Sequence, residues 1–135
     1  MSLIEWSPAL ATGQMEIDAQ HTVLVAILNR LHDAIQRGEG EATTSLILRE
    51  LVEYTHYHFE SEEALMDRVP VEVAKAHKSN HQRLLDQVLD FQKQCERGEI
   101  HPQELLAFLK DWLMLHITGT DKQLAATLVK NREPA

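Results

Sequence analysis

The sequence predicts an all-α fold, an antiparallel up-down-up-down four-helix bundle with an N-terminal arm. Apolar residues recur at intervals of three and four in four segments, no segment shows the strict alternation of a β-strand, and only short Gly- or Pro-containing stretches separate the segments. Short connections make consecutive helices antiparallel neighbours. A chain of 135 residues is long enough to bury one hydrophobic core but not two, so we expect a single domain over residues 1–135.

Glycine and proline residues indicate where each helix begins and ends. Gly38 ends the first helix and Gly98 closes the third, because helices commonly end at a glycine. Pro70 separates the second helix from the third, and Pro102 begins the fourth. We expect Trp6, in the arm, to pack on the bundle. The predicted bounds are about 1–16 for the arm and about 17–37, 42–67, 70–96 and 102–131 for the four helices.

The acidic balance of the chain argues against nucleic-acid binding. Thirteen Lys and Arg residues are outnumbered by twenty-one Asp and Glu residues, the formal net charge is −8, and the basic residues are spread along the chain. No apolar run approaches the roughly 18 residues of a membrane span, and the N-terminal residues lack the basic and apolar regions of a secretory signal. We therefore expect a cytoplasmic protein that binds neither nucleic acid nor membrane. The lone Cys95 lies on an apolar face and is expected to be a small core residue.

Six polar residues interrupt the apolar faces of the four helices where the pattern calls for leucine: His21, His58, Glu62, His77, His81 and His116. A single histidine on an apolar face is more often a hydrogen-bonded core residue than a metal ligand, and a buried glutamate can simply be hydrogen-bonded. Burying all six residues without compensation would cost several kcal/mol per ion. The total is comparable to the roughly 5–15 kcal/mol that stabilise a domain. Metal coordination is the simplest compensation.

The spacing of these residues supports a shared site. His58 and Glu62 are four residues apart, as are His77 and His81, so each pair points to one side of its helix. His58 and His77 flank the same connection at similar distances. All four helices can therefore present ligands to one layer of the core.

Asp121 joins this set only if the fourth helix is distorted. Five residues after His116, an ideal α-helix has rotated about 140° away. A one-residue π-bulge would align the two, and Gly119 lies between them. We predict such a distortion; the alternative is an aspartate on the solvated face of a regular helix.

These residues, in this order, resemble the hemerythrin family over nearly the whole chain. Each helix carries part of the resemblance. The matching stretches are Trp6, Gly13 and Ile17-Asp18-Ala19-Gln20-His21 in the arm and first helix, His58-Phe59-Glu60-Ser61-Glu62-Glu63 with Met66 in the second, His77-Lys78-Ser79-Asn80-His81 in the third, and Trp112-Leu113-Met114-Leu115-His116-Ile117 with Asp121 in the fourth.

The resemblance implies a centre of two non-heme iron ions with a bridging oxo or hydroxo group. The implied metal ligands are His77, His81 and His116 on one iron, His21 and His58 on the other, and Glu62 and Asp121 as bridges. Three histidines, two carboxylate oxygens and the bridging oxygen fill six positions on the first iron. Two histidines leave the second iron with an open position that takes O2 as a ligand.

The function that the resemblance implies is reversible O2 binding for storage or delivery, without catalysis. We expect a monomer or weak oligomer, and an oxygen-consuming enzyme is the candidate recipient. Two alternatives stay open: a domain that senses O2, redox state or nitric oxide, and a di-iron enzyme of the oxidase or peroxidase type. A sensor is usually fused to an output domain, for which 135 residues leave no room unless the chain is a fragment of a longer protein.

Other metals, other di-iron proteins and the remaining histidines are the alternatives to this assignment. The ligand types alone also admit zinc, manganese or cobalt. A mononuclear zinc site is disfavoured, because it needs only four ligands and the chain has no His-Glu-x-x-His string. Ferritin-like di-iron enzymes use two Glu-x-x-His motifs, and the single string here, Glu53 to His56, lies off the apolar face. We expect His32, His56 and His101 to be structural or surface residues.

Thr118 and Gly119 depart from the family pattern, because they leave less apolar bulk than expected beside the open iron. We expect this to change pocket access, autoxidation rate and O2 affinity relative to dedicated blood-cell carriers.

Overall fold

The predicted all-α bundle is confirmed by the computed structural model, which describes residues 4–99, 102–121 and 124–128. Four helices form it: α1 (Met15–Gln36), α2 (Glu41–Ala64), α3 (Val71–Glu96) and α4 (Pro102–Leu115). The chain continues from α4 as a π-helical segment, His116–Asp121, and residues 124–128 are again helical. Each helix packs on the next, and α4 also packs on α1, so the bundle closes. The described part of the chain contains no β-strand.

α1 and α3 end in the same way, on a glycine with a left-handed backbone. Gly38, with φ 69°, follows α1, and Gly98, with φ 70°, follows α3. After α1, the backbone N–H of Glu39 donates to the carbonyl of Ala34 at 3.0 Å, and an equivalent hydrogen bond follows α3. Glycine adopts this conformation without steric cost, which lets the last helical carbonyls find donors.

α2 tightens at its end before the chain turns into α3. Its α-helical part ends at Ala64, and a short 3-10 turn, Met66–Arg68, follows. Val69 is extended, with φ −127° and ψ 161°. The ring of Pro70 disfavours a helical conformation for the residue before it, so the helix cannot continue into α3.

The N-terminal arm is fastened to α1 by hydrogen bonds at two points. The side chain of Asn29 accepts from the N–H of Ile4 at 3.0 Å and donates to the Ile4 carbonyl at 2.8 Å. The carboxylate of Asp18 accepts from the backbone and the hydroxyl of Thr12 at 2.8 and 2.7 Å. Ile4 is buried as a result, whereas Trp6 remains 36% exposed. The arm inserts Ile4 into the apolar core, of which Trp6 is not a part, and the packing of Trp6 on the bundle surface stays a prediction.

The apolar core consists of two clusters with a polar layer between them. Along α1, Ile17 belongs to the smaller cluster and Leu24 to the larger one, and His21 lies between the two. Asp121 occupies the same layer beyond α4. Cys95 is partly buried against the larger cluster, as expected for a small apolar residue. Among the described helices, none is both long and apolar enough to cross a membrane.

Candidate metal centre

The seven side chains singled out from the sequence converge in the polar layer. They come from α1, α2, α3 and the π-helical segment: His21, His58, Glu62, His77, His81, His116 and Asp121. None is more than 6% exposed. Within the described part of the chain, no other titratable side chain is buried to this degree.

Glu62, on α2, has four imidazoles around its carboxylate. Nε2 of His77 and Nε2 of His81 lie 2.8 and 3.1 Å from Oε2. Nε2 of His58 and Nε2 of His116 lie 2.6 and 3.7 Å from Oε1. His58 lies four residues before Glu62, and His77 lies four residues before His81, so each of these two pairs is on one side of its helix, as the sequence indicates. One carboxylate therefore contacts histidines from α2, α3 and the π-helical segment.

Asp121 reaches the same layer because of the π-helical turn. The wider turn brings position i+5 back towards position i, which an α-helix does not do. Its Oδ2 contacts Nε2 of His21 and lies 2.8 Å from Nε2 of His116 and 3.1 Å from Nε2 of His58. Its Oδ1 lies 3.4 Å from Nε2 of His77. The distortion expected between His116 and Asp121 is confirmed.

The ligand atoms form two groups that share both carboxylates. Within each group, the atoms all lie within 4.8 Å of one another. One group contains His21, His58 and His116 and the other contains His77 and His81, each together with Glu62 and Asp121. One oxygen of each carboxylate, Glu62 Oε1 and Asp121 Oδ1, is buried and accepts no well-formed hydrogen bond, although imidazole nitrogens lie close to both. Buried carboxylate oxygens surrounded by imidazole nitrogens fit a metal cation.

Charge interactions within the centre shift its pKa values strongly. Burial alone would lower the pKa of His116 and of His77, but Asp121 and Glu62 raise them to about 10 and about 9. Burial lowers the pKa of His81. Burial alone would raise the pKa of Glu62, yet its histidine contacts hold that pKa well below the ordinary range. In the metal-free centre, protons therefore sit on ring nitrogens beside anionic carboxylates, and a metal cation must displace them.

Residues 12–128 match the family model of the hemerythrin HHE cation binding domain. The chain belongs to the hemerythrin family. It is 36% identical over 121 residues to a bacteriohemerythrin of Pseudomonas aeruginosa, a match that covers 90% of this chain and 78% of the relative. A bacteriohemerythrin of Methylococcus capsulatus is 33% identical over 124 residues, covering 90% of this chain and 94% of the relative.

Solved hemerythrin structures share the fold. A crystal structure of wild-type hemerythrin superposes with a TM-score of 0.84 at 32% identity, covering 94% of this chain and 98% of that one. A hemerythrin with a leucine-to-alanine substitution superposes with a TM-score of 0.85, covering 95% and 98%. Hemerythrins bind O2 and typically hold a di-iron site, and two ligand groups that share two carboxylates are suited to such a site.

In the present chain, the ring of His116 lies between the two ligand groups. The centroid of its ring lies 5.5 Å from those of both His58 and His81, and 6.1 and 6.4 Å from those of His21 and His77. Its Nε2 falls in the group of His21 and His58. The family resemblance instead places it on the iron of His77 and His81. The ring position is compatible with either iron.

The histidines left out of the site lie elsewhere in the bundle. His56 is exposed and lies 3.3 Å from the carboxylate of Glu60. Glu53 is exposed as well, so the Glu-x-x-His string lies on the solvent face. His32 is partly buried, with its Nδ1 3.5 Å from Asp33. His101 lies outside the described residues.

Thr118 and Gly119 lie outside the buried layer. Thr118 is exposed, and its hydroxyl donates to the carbonyl of Met114 at 2.7 Å. Gly119 is exposed too, and a Cβ added there would meet no atom within 4 Å. Gly119 does border a cavity of about 550 Å³ between α3 and α4 that reaches His116. The expectation that both residues flank the open iron is wrong for Thr118, whereas Gly119 lies on an outer approach to His116.

One buried polar contact of the centre escaped the sequence analysis. Gln20 is 6% exposed and lies 2.7 Å, through its Oε1, from Nδ1 of His58. Glutamine is not among the residue types that usually bind iron, so Gln20 did not stand out as a ligand. Two signals were available: its place in the stretch that resembles the hemerythrin family, and its position three residues after Ile17 and four before Leu24, which are both buried.

Proposed function

We propose that this chain binds O2 reversibly at a centre of two non-heme iron ions, for oxygen storage or delivery. The observation that carries the proposal is that both ligand groups include Glu62 and Asp121. Carboxylates that belong to two groups can bridge two cations, whereas a single tetrahedral ion needs only four ligands. Five imidazoles and two carboxylates are suitable ligands for iron.

The protein's part in this function is to hold two ions in a layer that excludes water and contains, among the described residues, no titratable group besides the ligands. Two ferrous ions, when bound, supply the electrons that reversible O2 binding needs. Apolar clusters on both sides of the layer exclude water. All the buried titratable groups of the described residues are used as ligands, so none is left as a general acid or base. This favours O2 binding over turnover of a substrate, and we propose a carrier rather than an enzyme.

Within the proposal, the ligands divide unequally between the two ions. Glu62 and Asp121 would bridge them, and the intermediate ring of His116 would complete the ligands of the ion held by His77 and His81. The other ion would have only His21 and His58 as its own ligands, which would leave it the position for O2. The support for this division is the family pattern, with which the position of the His116 ring is compatible. The cytoplasmic location, the weak or absent oligomerisation and the oxygen-consuming recipient remain predictions of the sequence.

The test is the absorption spectrum of iron-loaded protein through cycles of O2 and argon. After anaerobic reduction, the protein should gain a visible charge-transfer band under O2 and lose it under argon in every cycle. Two alanine variants form a matched pair. His116→Ala, at a buried position, should bind fewer than two iron ions per chain. His56→Ala, at an exposed position, should bind two iron ions and bind and release O2 normally. Irreversible conversion to ferric protein on first exposure, or equal iron contents in both variants, would overturn the proposal.

A further inference from the structure

A buried glutamine connects α1 to the centre. His58 and Ser61 are three residues apart on α2, so that one turn of helix presents both to α1. Gln20 spans the two: its Oε1 accepts from Nδ1 of His58 at 2.7 Å, and its Nε2 donates to Oγ of Ser61 at 2.9 Å. Both ends of the amide are thereby hydrogen-bonded, and the link orients Gln20 with its oxygen towards the histidine.

The contact with Gln20 decides which ring nitrogen of His58 faces the centre as a lone-pair donor. When Nδ1–H of the neutral ring donates to the amide oxygen, the lone pair that can bind a metal is on Nε2. That atom lies 2.6 Å from Oε1 of Glu62 and 3.1 Å from Oδ2 of Asp121. A hydrogen bond on the outer nitrogen fixes both the tautomer and the ring orientation of a metal-binding histidine.

The neighbouring histidines have different outer contacts. Nδ1 of His21 is buried without a hydrogen-bond partner. Nδ1 of His81 has a carboxylate oxygen of Glu63 nearby, at 3.5 Å. The acceptor for His58 is instead a neutral amide at 2.7 Å. A neutral acceptor attracts the ring proton less strongly than a carboxylate does. His58 therefore donates less electron density to a metal than an imidazole hydrogen-bonded to a carboxylate would.

We propose that Gln20 is a positioning residue for the iron bound by His58, and that its neutral amide favours the ferrous state of that iron relative to a carboxylate in its place. The inference rests on the proposed di-iron function. Gln20 acts through His58 and does not touch the ion, while Ser61 keeps the amide in the orientation that His58 needs.

Two substitutions separate the hydrogen bond from simple packing. Gln20→Met keeps the length and the apolar part of the side chain but removes the acceptor. Gln20→Glu keeps an acceptor and adds a charge, and the hydroxyl of Ser61 can turn to donate to it. Gln82→Met is the matched control, since Gln82 is an exposed glutamine on α3 whose Nε2 donates to Asp86 at 2.9 Å.

The first readout is the dissociation constant for ferrous iron, measured anaerobically by competition with a chelator. Gln20→Met should weaken binding of the second iron by about 10- to 100-fold, as loss of an outer hydrogen-bond partner typically does. Gln20→Glu should restore binding close to that of the unsubstituted protein. Gln82→Met should leave it unchanged.

The second readout is the reduction potential of the loaded centre, which a merely structural glutamine would not set. The potential should fall in the order Gln20→Met, unsubstituted protein, Gln20→Glu, because the histidine becomes a better donor along this series. Iron binding unaffected by Gln20→Met, or potentials shifted in the same direction by both substitutions, would overturn the inference. Failure of the unsubstituted protein to bind two iron ions is a separate result, which would overturn the di-iron proposal itself.

Discussion

Glu62→Gln removes one charge from the buried centre with almost no change in shape. The carboxylate of Glu62 is fully buried and contacts the Nε2 atoms of His58 and His77 at 2.6 and 2.8 Å. An amide in its place carries no charge and turns an N–H donor towards protonated rings. In the metal-free protein, the substitution should therefore lower the free energy of unfolding.

The size of the loss follows from the pKa of His77. Burial lowers this pKa, but Asp121 and Glu62 together raise it from 6.5 to about 9. That difference corresponds to about 3 kcal/mol, which is the net result after burial has opposed the effect of the two carboxylates. Breaking a buried ion pair by removing one partner typically costs about 3–5 kcal/mol. We expect Glu62→Gln to cost about 2–4 kcal/mol at a pH between about 4.5 and 6.5, where the stability from the lowered pKa of Glu62 and that from the raised pKa of His77 are both fully present.

Urea unfolding of chelator-treated protein, followed by far-UV circular dichroism, measures this loss. The chain offers a matched control two residues away, because Glu60 lies 3.3 Å from His56 with the same four-residue spacing on α2. Both of those side chains are more than half exposed, at 67% and 59%. Glu60→Gln should change stability by less than about 0.5 kcal/mol. Equal effects of the two substitutions would refute the reasoning.

Further predictions concern pH, packing and the π-helical segment. The pKa values of His77 and His116 are raised to about 9 and about 10. The stability that these two residues give the metal-free protein should therefore be lost as the pH rises through that range. Urea unfolding at several pH values measures this loss. Iron affinity should instead rise with pH, with proton release in calorimetry; no release would contradict the proton competition. Leu113→Ala, at a fully buried position, should cost about 3–5 kcal/mol in thermal unfolding, and Leu115→Ala, 72% exposed, should cost little; similar losses would contradict the packing. Gly119→Ala should raise stability by up to about 1 kcal/mol, since a Cβ meets nothing there and the backbone φ is not left-handed; a loss would argue against this geometry.

The fold was predictable because each helix repeats its core contact about once per turn. Leu24, Leu28 and Leu31 follow this repeat along α1 and are all buried. The structure departs from this repeat where a single local interaction determines where a helix ends or which path the chain takes. The end of α2 depends on Pro70, and the path of the arm depends on the hydrogen bonds of Asn29 with the backbone. The latter is not visible in any periodic pattern.

Most of the candidate site was predictable because polar residues on an apolar face are costly and need a common explanation. His21, His58 and His81 all interrupt such faces, and all are buried in one layer. Asp121 needed additional information. Its alignment with His116 depends on a π-helical turn, so a regular period of 3.6 residues places it on the wrong side.

The rest of the site depends on tertiary contacts that a single sequence does not display. Gln20 lies one residue before a ligand, and its role follows from the position of His58 and Ser61 on another helix. Thr118 was expected near the centre because of its place in the chain. The π-helical segment instead leaves it exposed, with its hydroxyl bonded to the carbonyl of Met114.

The central claim, reversible O2 binding by two iron ions, is tested most directly by an equilibrium O2 uptake measurement on reduced, iron-loaded protein. Uptake is recorded as the O2 pressure is raised and then lowered, with the iron content determined on the same sample. We predict one O2 bound for every two iron ions, and its full return as the pressure falls. O2 that is consumed without being returned, or uptake that does not scale with pairs of iron ions, would contradict the account.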